Sequence, residues 1–369
     1  MGTTVVHLFP YSARMPGGHS NAIREFIDCQ RAAGIDSFGL SPTTDEIFSN
    51  AVEPGLHCGE IPFENPTQVF AEISNRCTSK GDILHLHAIS PLTTSIARLA
   101  RSYGIKVVLT SHGQLNASGF LHFAKKTIYL ALHPSPVRHA HGIHVLTQCE
   151  KHRLRFMLPW FRGKVTVIPH VVAIPARFAA FKPRSRDDDG ERVILYLGRL
   201  DVRTKGLDLL LQAFAQARLP KVRLILAGPD WNHGKQDLES LAKRLGCRDQ
   251  IEFPGAVYGE NKERMLASAD LFVATSRWDA FNLSVVEALA RGIPTLISKR
   301  LNLAPQLEAA EAAIIVDCEP SKITAAIEAA LGSPTKRTKT GLAGRAWVES
   351  NTSPAAVSAK FAAFYNLLK

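Results

Sequence analysis

Short apolar runs rich in Val, Ile and Leu alternate along the chain with longer stretches whose apolar positions recur every three or four residues. Continuous apolar runs of this length suit strands buried on both faces, and the helical period between them suits helices laid against those strands. The pattern predicts strands over 5–9, 37–40, 83–87, 106–110, 143–146 and 165–168. It breaks at 181–191, FKPRSRDDDGE, where Pro, Gly and dense charge leave no apolar period and predict a solvated linker. The alternation then resumes, with strands expected over 193–197, 222–227, 251–253, 271–274, 295–297 and 313–316, and closing helices over 321–331, 339–349 and 354–368. Serial βαβ units of this kind predict an α/β fold with two doubly wound parallel sheets.

Length supports the division, because 369 residues exceed what one hydrophobic core usually sustains. With 46% hydrophobic and 21% charged residues the composition is that of a soluble globular protein. No basic-then-apolar leader opens the chain, and no run approaches the roughly 18 apolar residues of a membrane span, so neither secretion nor spanning is expected. The six cysteines form no CxxC pair, which argues against a zinc site or disulfide framework and for a reducing cytoplasm. A formal charge of +11 points to an anionic partner. The excess is local: Lys125, Lys126, Arg138, Lys151, Arg153, Arg155, Arg162 and Lys164 face only Glu150 between 125 and 164. Thirteen of the 14 histidines precede Val171, a second compositional difference between the halves.

Ligands of open parallel sheets sit beyond the carboxyl ends of the strands, so glycines and charges just after strands are where chemistry is expected. Four places stand out. Pro16-Gly17-Gly18-His19-Ser20 opens a helical run after the first strand, where glycines let backbone N–H groups approach an anion. Gly198-Arg199-Leu200-Asp201-Val202-Arg203-Thr204-Lys205-Gly206 sets cations before another helix, as a diphosphate requires. The stretch from Ser276 carries Asp279 in a loop and Glu287 two turns into a helix, with the amides of Asn282, Leu283 and Ser284 at its positive end. In Thr110-Ser111-His112-Gly113 the histidine either bonds a sugar hydroxyl or departing group, or is a structural residue of its loop. Other signals carry less. Gly228 to Lys235 lacks Walker spacing, Asp187-Asp188-Asp189 sits in the linker, and the His85/His87 and His139/His141/His144 sets have no carboxylate or cysteine at ligand spacing. A catalytic metal and a nicotinamide cofactor are therefore not expected.

GRLDVRTKGLDLLLQAFA together with DAFNLSVVEALARGIPTL resembles the donor-binding half of family 4 of the retaining glycosyltransferases, and GGHSNAIREF, TSHGQLN and VTVIPHVV are similar to that family's first-half motifs. The resemblance implies the GT-B fold, two Rossmann-like domains facing a central cleft. It implies an acceptor-binding domain over 1–180, a donor-binding domain over 181–352, and a last helix, 353–369, packing back on the first. It makes Gly18, beside Gly17, a backbone donor to the donor β-phosphate, and Arg199 and Lys205, next to Gly198, a diphosphate clamp. Glu287 would hold the ribose hydroxyls, Asp279 the sugar hydroxyls near the reacting centre, and His112 would sit near the sugar. The base would rest near 255–258, at Val257. The reaction implied is metal-independent, retaining transfer of a hexose from a UDP- or GDP-sugar, with the donor as substrate and no cofactor. Two positions depart from the family pattern: Asp279 replaces a glutamate, and His170-Val171 replaces Asn-Gly after Val-Ile-Pro. The alternatives are a nucleotide-sugar epimerase of the same architecture and a non-catalytic sugar-nucleotide-binding protein.

The basic segment adds an expectation about the acceptor. Lys151, Arg153, Arg155, Arg162 and Lys164 are interleaved with Leu154, Phe156, Met157, Leu158, Trp160 and Phe161, and the apolar run 120–132 carries Lys125 and Lys126. Such interleaving suits an anionic membrane surface, where each cation contributes about 1 kcal/mol and aromatic rings favour the interface. The opposing reading makes the apolar residues core and the cations solvated. The membrane reading predicts a lipid-linked saccharide acceptor in cell-surface polysaccharide biosynthesis and a cytoplasmic protein peripheral on the inner face of the plasma membrane. No nucleic-acid motif accompanies the charge, and none is expected as partner.

Overall fold

The apolar runs become parallel strands, nearly all buried in the middle of each sheet and only partly so in β7, β10 and β13 at the edges. The structure, a computed structural model, describes residues 3–9, 18–42, 58–61, 65–79, 81–113, 124–125, 127–128, 130, 135–175 and 190–368. The first sheet comprises β1 (Thr4–Leu8), β2 (Asp36–Pro42), β3 (Cys58–Ile61), β4 (Ile83–Leu86), β5 (Lys106–Thr110), β6 (Gly142–Val145) and β7 (Lys164–Val167), in the order β3-β2-β1-β4-β5-β6-β7. Its helices include α1 (Gly18–Ala32), α2 (Pro66–Ser74), α3 (Pro91–Ser102) and α4 (Gln148–Met157). Local chemistry starts them: Ser90 and Thr93 form a capping box ahead of α3, with Pro91 at its first position, and the Thr147 hydroxyl accepts from Glu150 N at the start of α4.

The second sheet comprises β8 (Arg192–Leu197), β9 (Val222–Ala227), β10 (Ile251–Gly255), β11 (Leu271–Ala274), β12 (Thr295–Ser298) and β13 (Ile314–Val316), in the order β10-β9-β8-β11-β12-β13. Between and after these strands run α5 (Leu207–Ala217), α6 (Gly234–Arg244), α7 (Gly259–Ser268), α8 (Leu283–Ala290), α9 (Ala304–Ala309), α10 (Pro320–Gly332) and α11 (Pro334–Asn351). A last helix, α12 (Pro354–Asn366), packs on α1. The chain thus forms two compact units, Met1–Val171 with Pro354–Lys369, and Val172–Ser353. Each has its own core: Val6, Leu84, Val107 and Ile143 are fully buried in the first, and Ile194, Leu224, Val273 and Leu296 in the second. Each fully buried side chain of this size stabilises by roughly 1.5–3 kcal/mol.

Strand order reverses between β1 and β4 in the first sheet and between β8 and β11 in the second. These are the switch points where loops on either side splay apart and leave a crevice at the strands' carboxyl ends. Two elements differ from expectation. Strand β3, CGEI, pairs at the sheet edge and carries too few apolar residues to stand out. Helix α11 begins five residues before the expected 339 because Ser333 caps it and Pro334 opens it. Its polar composition hides the period, and its contact with the core runs through glycine: a Cβ on Gly341 would lie 2.2 Å from Gly292 O. Gly17, Lys126, residues 181–189 of the expected linker and most of the run 120–132 lie outside the described residues.

Candidate functional site

At the switch point of the second sheet the loops after β8 and β11 are tied together. Gly206 takes a left-handed φ of 64°, and a Cβ there would meet Thr275 O at 2.2 Å, so only glycine admits this approach. The Thr275 hydroxyl donates to Gly206 O at 2.9 Å. Arg277 pairs with both oxygens of Asp208 at 2.7 Å and donates to Arg203 O. Held this way, Lys205 Nζ lies 2.6 Å from Asp279 Oδ2, both side chains being more than four-fifths buried. Asn282 completes the cluster: its Nδ2 donates to the same Asp279 oxygen at 3.0 Å, and its Oδ1 accepts from Val285 N as the cap of α8. Along α8, Val285, Val286, Ala288 and Leu289 are buried, while Leu283, Ser284 and Glu287 form the partly exposed face.

The other residues expected at the donor lie at the ends of β8 and β10 and on α8. Gly198 N bonds to Ala227 O and Gly228 N to Gly255 O, which aligns the ends of β8, β9 and β10. The exposed Arg199 stacks its guanidinium on the Trp231 ring at 4.4 Å, a contact that the 32-residue separation concealed in the sequence. Val257 is half-buried just past β10. Glu287 is paired at 2.7 Å with Lys262, which had carried no expectation. Lys205 and Asp279 are thus brought together directly, whereas Arg199 and Glu287 are each held by a partner of its own, Trp231 and Lys262, that the sequence did not mark.

In the first unit the switch point between β1 and β4 is lined with histidine. His7 on β1 stands opposite His85 on β4, and His87 follows that strand. Nitrogen atoms of the three lie within 4.8 Å of one another, a metal-like grouping. All six nitrogens nonetheless have hydrogen-bond partners: His7 bonds His87 and Gln30, His85 bonds Tyr365 and Thr110, and His87 bonds His112. Burial pushes the pKa of His7 down to about 4, and those of His85 and His87 well below the usual range, with neighbouring histidines adding to the shift for the latter two. At neutral pH the cluster is uncharged. His112 follows β5 with a left-handed φ of 44°, uncommon for a non-glycine residue. Its ring stacks on His170 at 5.9 Å and 9°, so the residue that replaces the family's Asn packs on His112. Glu150, buried at the start of α4, accepts from the Ser111 hydroxyl and Leu146 N, and burial raises its pKa. Gly18 is the first residue of α1.

The basic segment divides. Leu154, Met157, Leu158 and Phe161 belong to the first unit's core and Trp160 packs against it, so the apolar interleaving is mostly the inner face of α4 and its following loop. Phe156 is 75% exposed. Lys125, Arg155, Arg162 and Lys164 are exposed, whereas Lys151 and Arg153 are half-buried. Arg162 and Lys164 join Arg101, Arg138, His141 and Trp160 around an open cavity of about 450 Å³ that no described carboxylate lines. No described helix is long and apolar enough to cross a membrane.

Comparisons with known proteins match this architecture. The model of glycosyl transferases group 1 matches 178–347, and that of the glycosyl transferase 4-like domain matches 17–170. Mannosylfructose-phosphate synthase of Agrobacterium fabrum is 37% identical over 115 residues, 29% of this chain and 25% of that protein. A phosphatidylinositol N-acetylglucosaminyltransferase subunit of Arabidopsis thaliana is 29% identical over 68% of this chain and 54% of its own length. The chain thus spans a quarter and about half of these two relatives. Phosphatidyl-myo-inositol mannosyltransferase of Mycobacterium tuberculosis is 25% identical over 86% of this chain and 83% of its own. Among solved structures, sucrose-phosphate synthase from Thermosynechococcus elongatus superposes with a TM-score of 0.77 at 20% identity, covering 99% of both chains. The Anabaena protein HepE, in complex with UDP and glucose, does so at 0.74 and 17%, covering 99% of this chain and all of its own. These likenesses establish the GT-B fold; the relatives support a transferase and not the epimerase alternative.

Proposed function

Because the chain belongs to the family-4-type glycosyltransferases of GT-B fold, we propose that it moves a hexose from a nucleoside diphosphate sugar to a hydroxyl acceptor, with retention of configuration and without a catalytic metal. The observation that carries this reading is the cluster of Lys205, Asp279 and Asn282 at the start of α8, on the switch point of the second sheet. Departure of a nucleoside diphosphate is limited by the charge that builds on it, and cations fixed beforehand lower that barrier without reorganising. Asp279, itself held by Asn282, fixes the Lys205 side chain, and an ammonium carries three protons, so donors remain for phosphate oxygens. Arg199 supplies the second cation from its stack on Trp231. Ser284 and Glu287, on the open face of α8, suit a phosphate and ribose hydroxyls, and His112 suits a sugar hydroxyl. HepE's complex with UDP and glucose supports a nucleotide-sugar donor.

Turnover of a panel of UDP- and GDP-sugars, with and without EDTA, tests the reading, with the product anomer assigned by NMR. Activity is expected to survive EDTA and the donor's configuration to be kept. Loss in EDTA restored by Mg²⁺ would make the carboxylates metal ligands, an inverted product would require a dedicated base, and binding without turnover would favour the non-catalytic alternative.

For the acceptor we favour a lipid-linked saccharide met at the inner face of the plasma membrane. The names of the phosphatidylinositol-modifying relatives support it, as do the exposed Phe156 and the cation-lined cavity. Binding to anionic vesicles should be salt-sensitive and should weaken when Lys151, Arg153, Arg155, Arg162 and Lys164 are changed to Glu. Efficient glycosylation of a soluble acceptor by a protein that ignores such vesicles at low salt would refute the lipid part and leave the transferase reading in place.

A further inference from the structure

A continuous file of buried polar side chains runs from the loop after β7 to His112, and its hydrogen bonds have only one consistent direction. It is anchored by a carbonyl, which can only accept. His144 Nε2 lies 2.6 Å from Ile168 O, so Nε2 carries the proton. A neutral imidazole has a single N–H, so His144 Nδ1 accepts from the Thr110 hydroxyl at 2.8 Å. That hydroxyl's one proton is then committed, and its oxygen accepts from His85 Nε2 at 2.7 Å. His85 Nδ1 in turn accepts from the Tyr365 hydroxyl at 3.0 Å, whose oxygen accepts from Gln30 Nε2 at 3.2 Å. The Gln30 amide is thereby oriented. Its Oε1 faces His7 Nε2 at 3.0 Å and the Ser37 hydroxyl at 2.6 Å, and both donate to it. His7 Nδ1 must then accept from His87 Nε2, and His87 Nδ1 from His112 Nε2, each at 2.9 Å.

From this we infer that the fold locks His112 as its Nε2–H tautomer, so that the residue meets a ligand only through Nδ1, as an acceptor for a hydroxyl proton, with Gln30, His7 and His87 as its positioning residues. The file keeps this direction only while every intermediate imidazole is neutral. Burial ensures this, holding His7 and His144 at about 4 and His85 and His87 well below the ordinary range. Each link is also enclosed: His7, Gln30, His85, Thr110 and His144 have no exposure, and His87 and Tyr365 have 2–3%. No water competes for these bonds, and an unmade one would cost about 1–3 kcal/mol. No carboxylate takes part in the file. The ligand group so selected is a hydroxyl, which donates, and not a phosphate oxygen, which only accepts. Tyr365 brings the last helix into the control of a loop more than 250 residues earlier in the chain.

The tautomer itself is independent of the proposed reaction; its consequence for activity rests on the reading that His112 works at the donor sugar. The test is nitrogen NMR of the full chain with ¹⁵N-labelled histidine, the His112 signals being identified by their loss in His112→Gln. The wild-type protein is expected to show a proton on Nε2 and none on Nδ1. His87→Ala, and Gln30→Met at the far end, are expected to give a mixture of tautomers. Gln30→Glu, which keeps an oxygen facing His7, is expected to retain the single form. With the UDP- or GDP-sugar that the wild type turns over, the two mixing variants should lose about two- to tenfold in kcat/KM, the share of molecules in the wrong form, and Gln30→Glu should lose less. A wild-type His112 protonated on Nδ1, or a single Nε2–H form persisting in both His87→Ala and Gln30→Met, would overturn the inference. If the tautomer is as inferred but His112→Ala turns over donor at the wild-type rate, the sugar-binding role of His112 fails and the lock stands.

Discussion

Lys205 separates the catalytic from the structural consequences of one side chain. Its ammonium is bound to Asp279, and Asp279 keeps a second donor in Asn282. Removing the lysine therefore leaves the carboxylate with one partner, a loss of about 1–3 kcal/mol by the usual cost of an under-satisfied buried group. The loss at a leaving diphosphate is larger. Lys205→Ala is expected to lower kcat/KM by about two to four orders of magnitude while the protein still melts cooperatively, as removal of a preorganised transition-state charge does. Steady-state kinetics beside a thermal melt checks both halves, and wild-type kcat/KM in the variant would remove Lys205 from the clamp. Residues of this kind were legible because cations and carboxylates beside glycines, just after strands, have few structural reasons to be there. Their partners were not: nothing local marks Lys262 as facing Glu287 or Trp231 as lying under Arg199, since each pair is set by how separate loops emerge from the sheet.

At the scale of elements, strands buried on both faces declare themselves as unbroken apolar runs, and all but one strand of the two sheets were readable from that alone. The edge strand β3 and the early start of α11 were not, the first for want of apolar residues and the second because its cap, Ser333-Pro334, precedes a polar stretch. Helix α8 shows how an element serves a site. Its cap, Asn282, uses one end of its amide to start the helix and the other to hold Asp279. Asn282→Ala is expected to cost about 1 kcal/mol through the lost cap and also to free Asp279 from one of its two holds. Asn282→Ser should restore most of the stability, because a hydroxyl caps well, but not the reach to Asp279. Urea unfolding should therefore separate alanine from serine, whereas kcat/KM should place both below the wild type. A serine variant with full activity would show that the cap alone matters.

The whole molecule carries its histidines in one half, and this gives its two compact units different responses to acid. Thirteen of the 14 histidines precede Val171, and the second unit holds only the exposed His233. In the first unit His7 and His144 are fully buried, with pKa values lowered by desolvation from 6.5 to about 4. Below pH 6.5 the unfolded chain takes up protons at these positions while the folded unit does not. Their contribution to stability is therefore complete above that pH and is lost as the pH falls toward 4, by about 3 kcal/mol each at pH 4. His85 and His87, lowered further, act in the same direction. Glu25 and Glu150, whose pKa values desolvation raises, act against it, while His139 and His141, also lowered by desolvation, act with it. Whole domains are stable by only about 5–15 kcal/mol, so losses of this size are expected to weaken the first unit before the second as the pH falls. Limited proteolysis at pH 7 and pH 5, with the cleavage sites mapped, is expected to show cuts appearing at pH 5 within 83–168 while 192–351 stays resistant. Simultaneous loss of both units, or earlier loss of the second, would mean that the buried histidines do not govern acid stability.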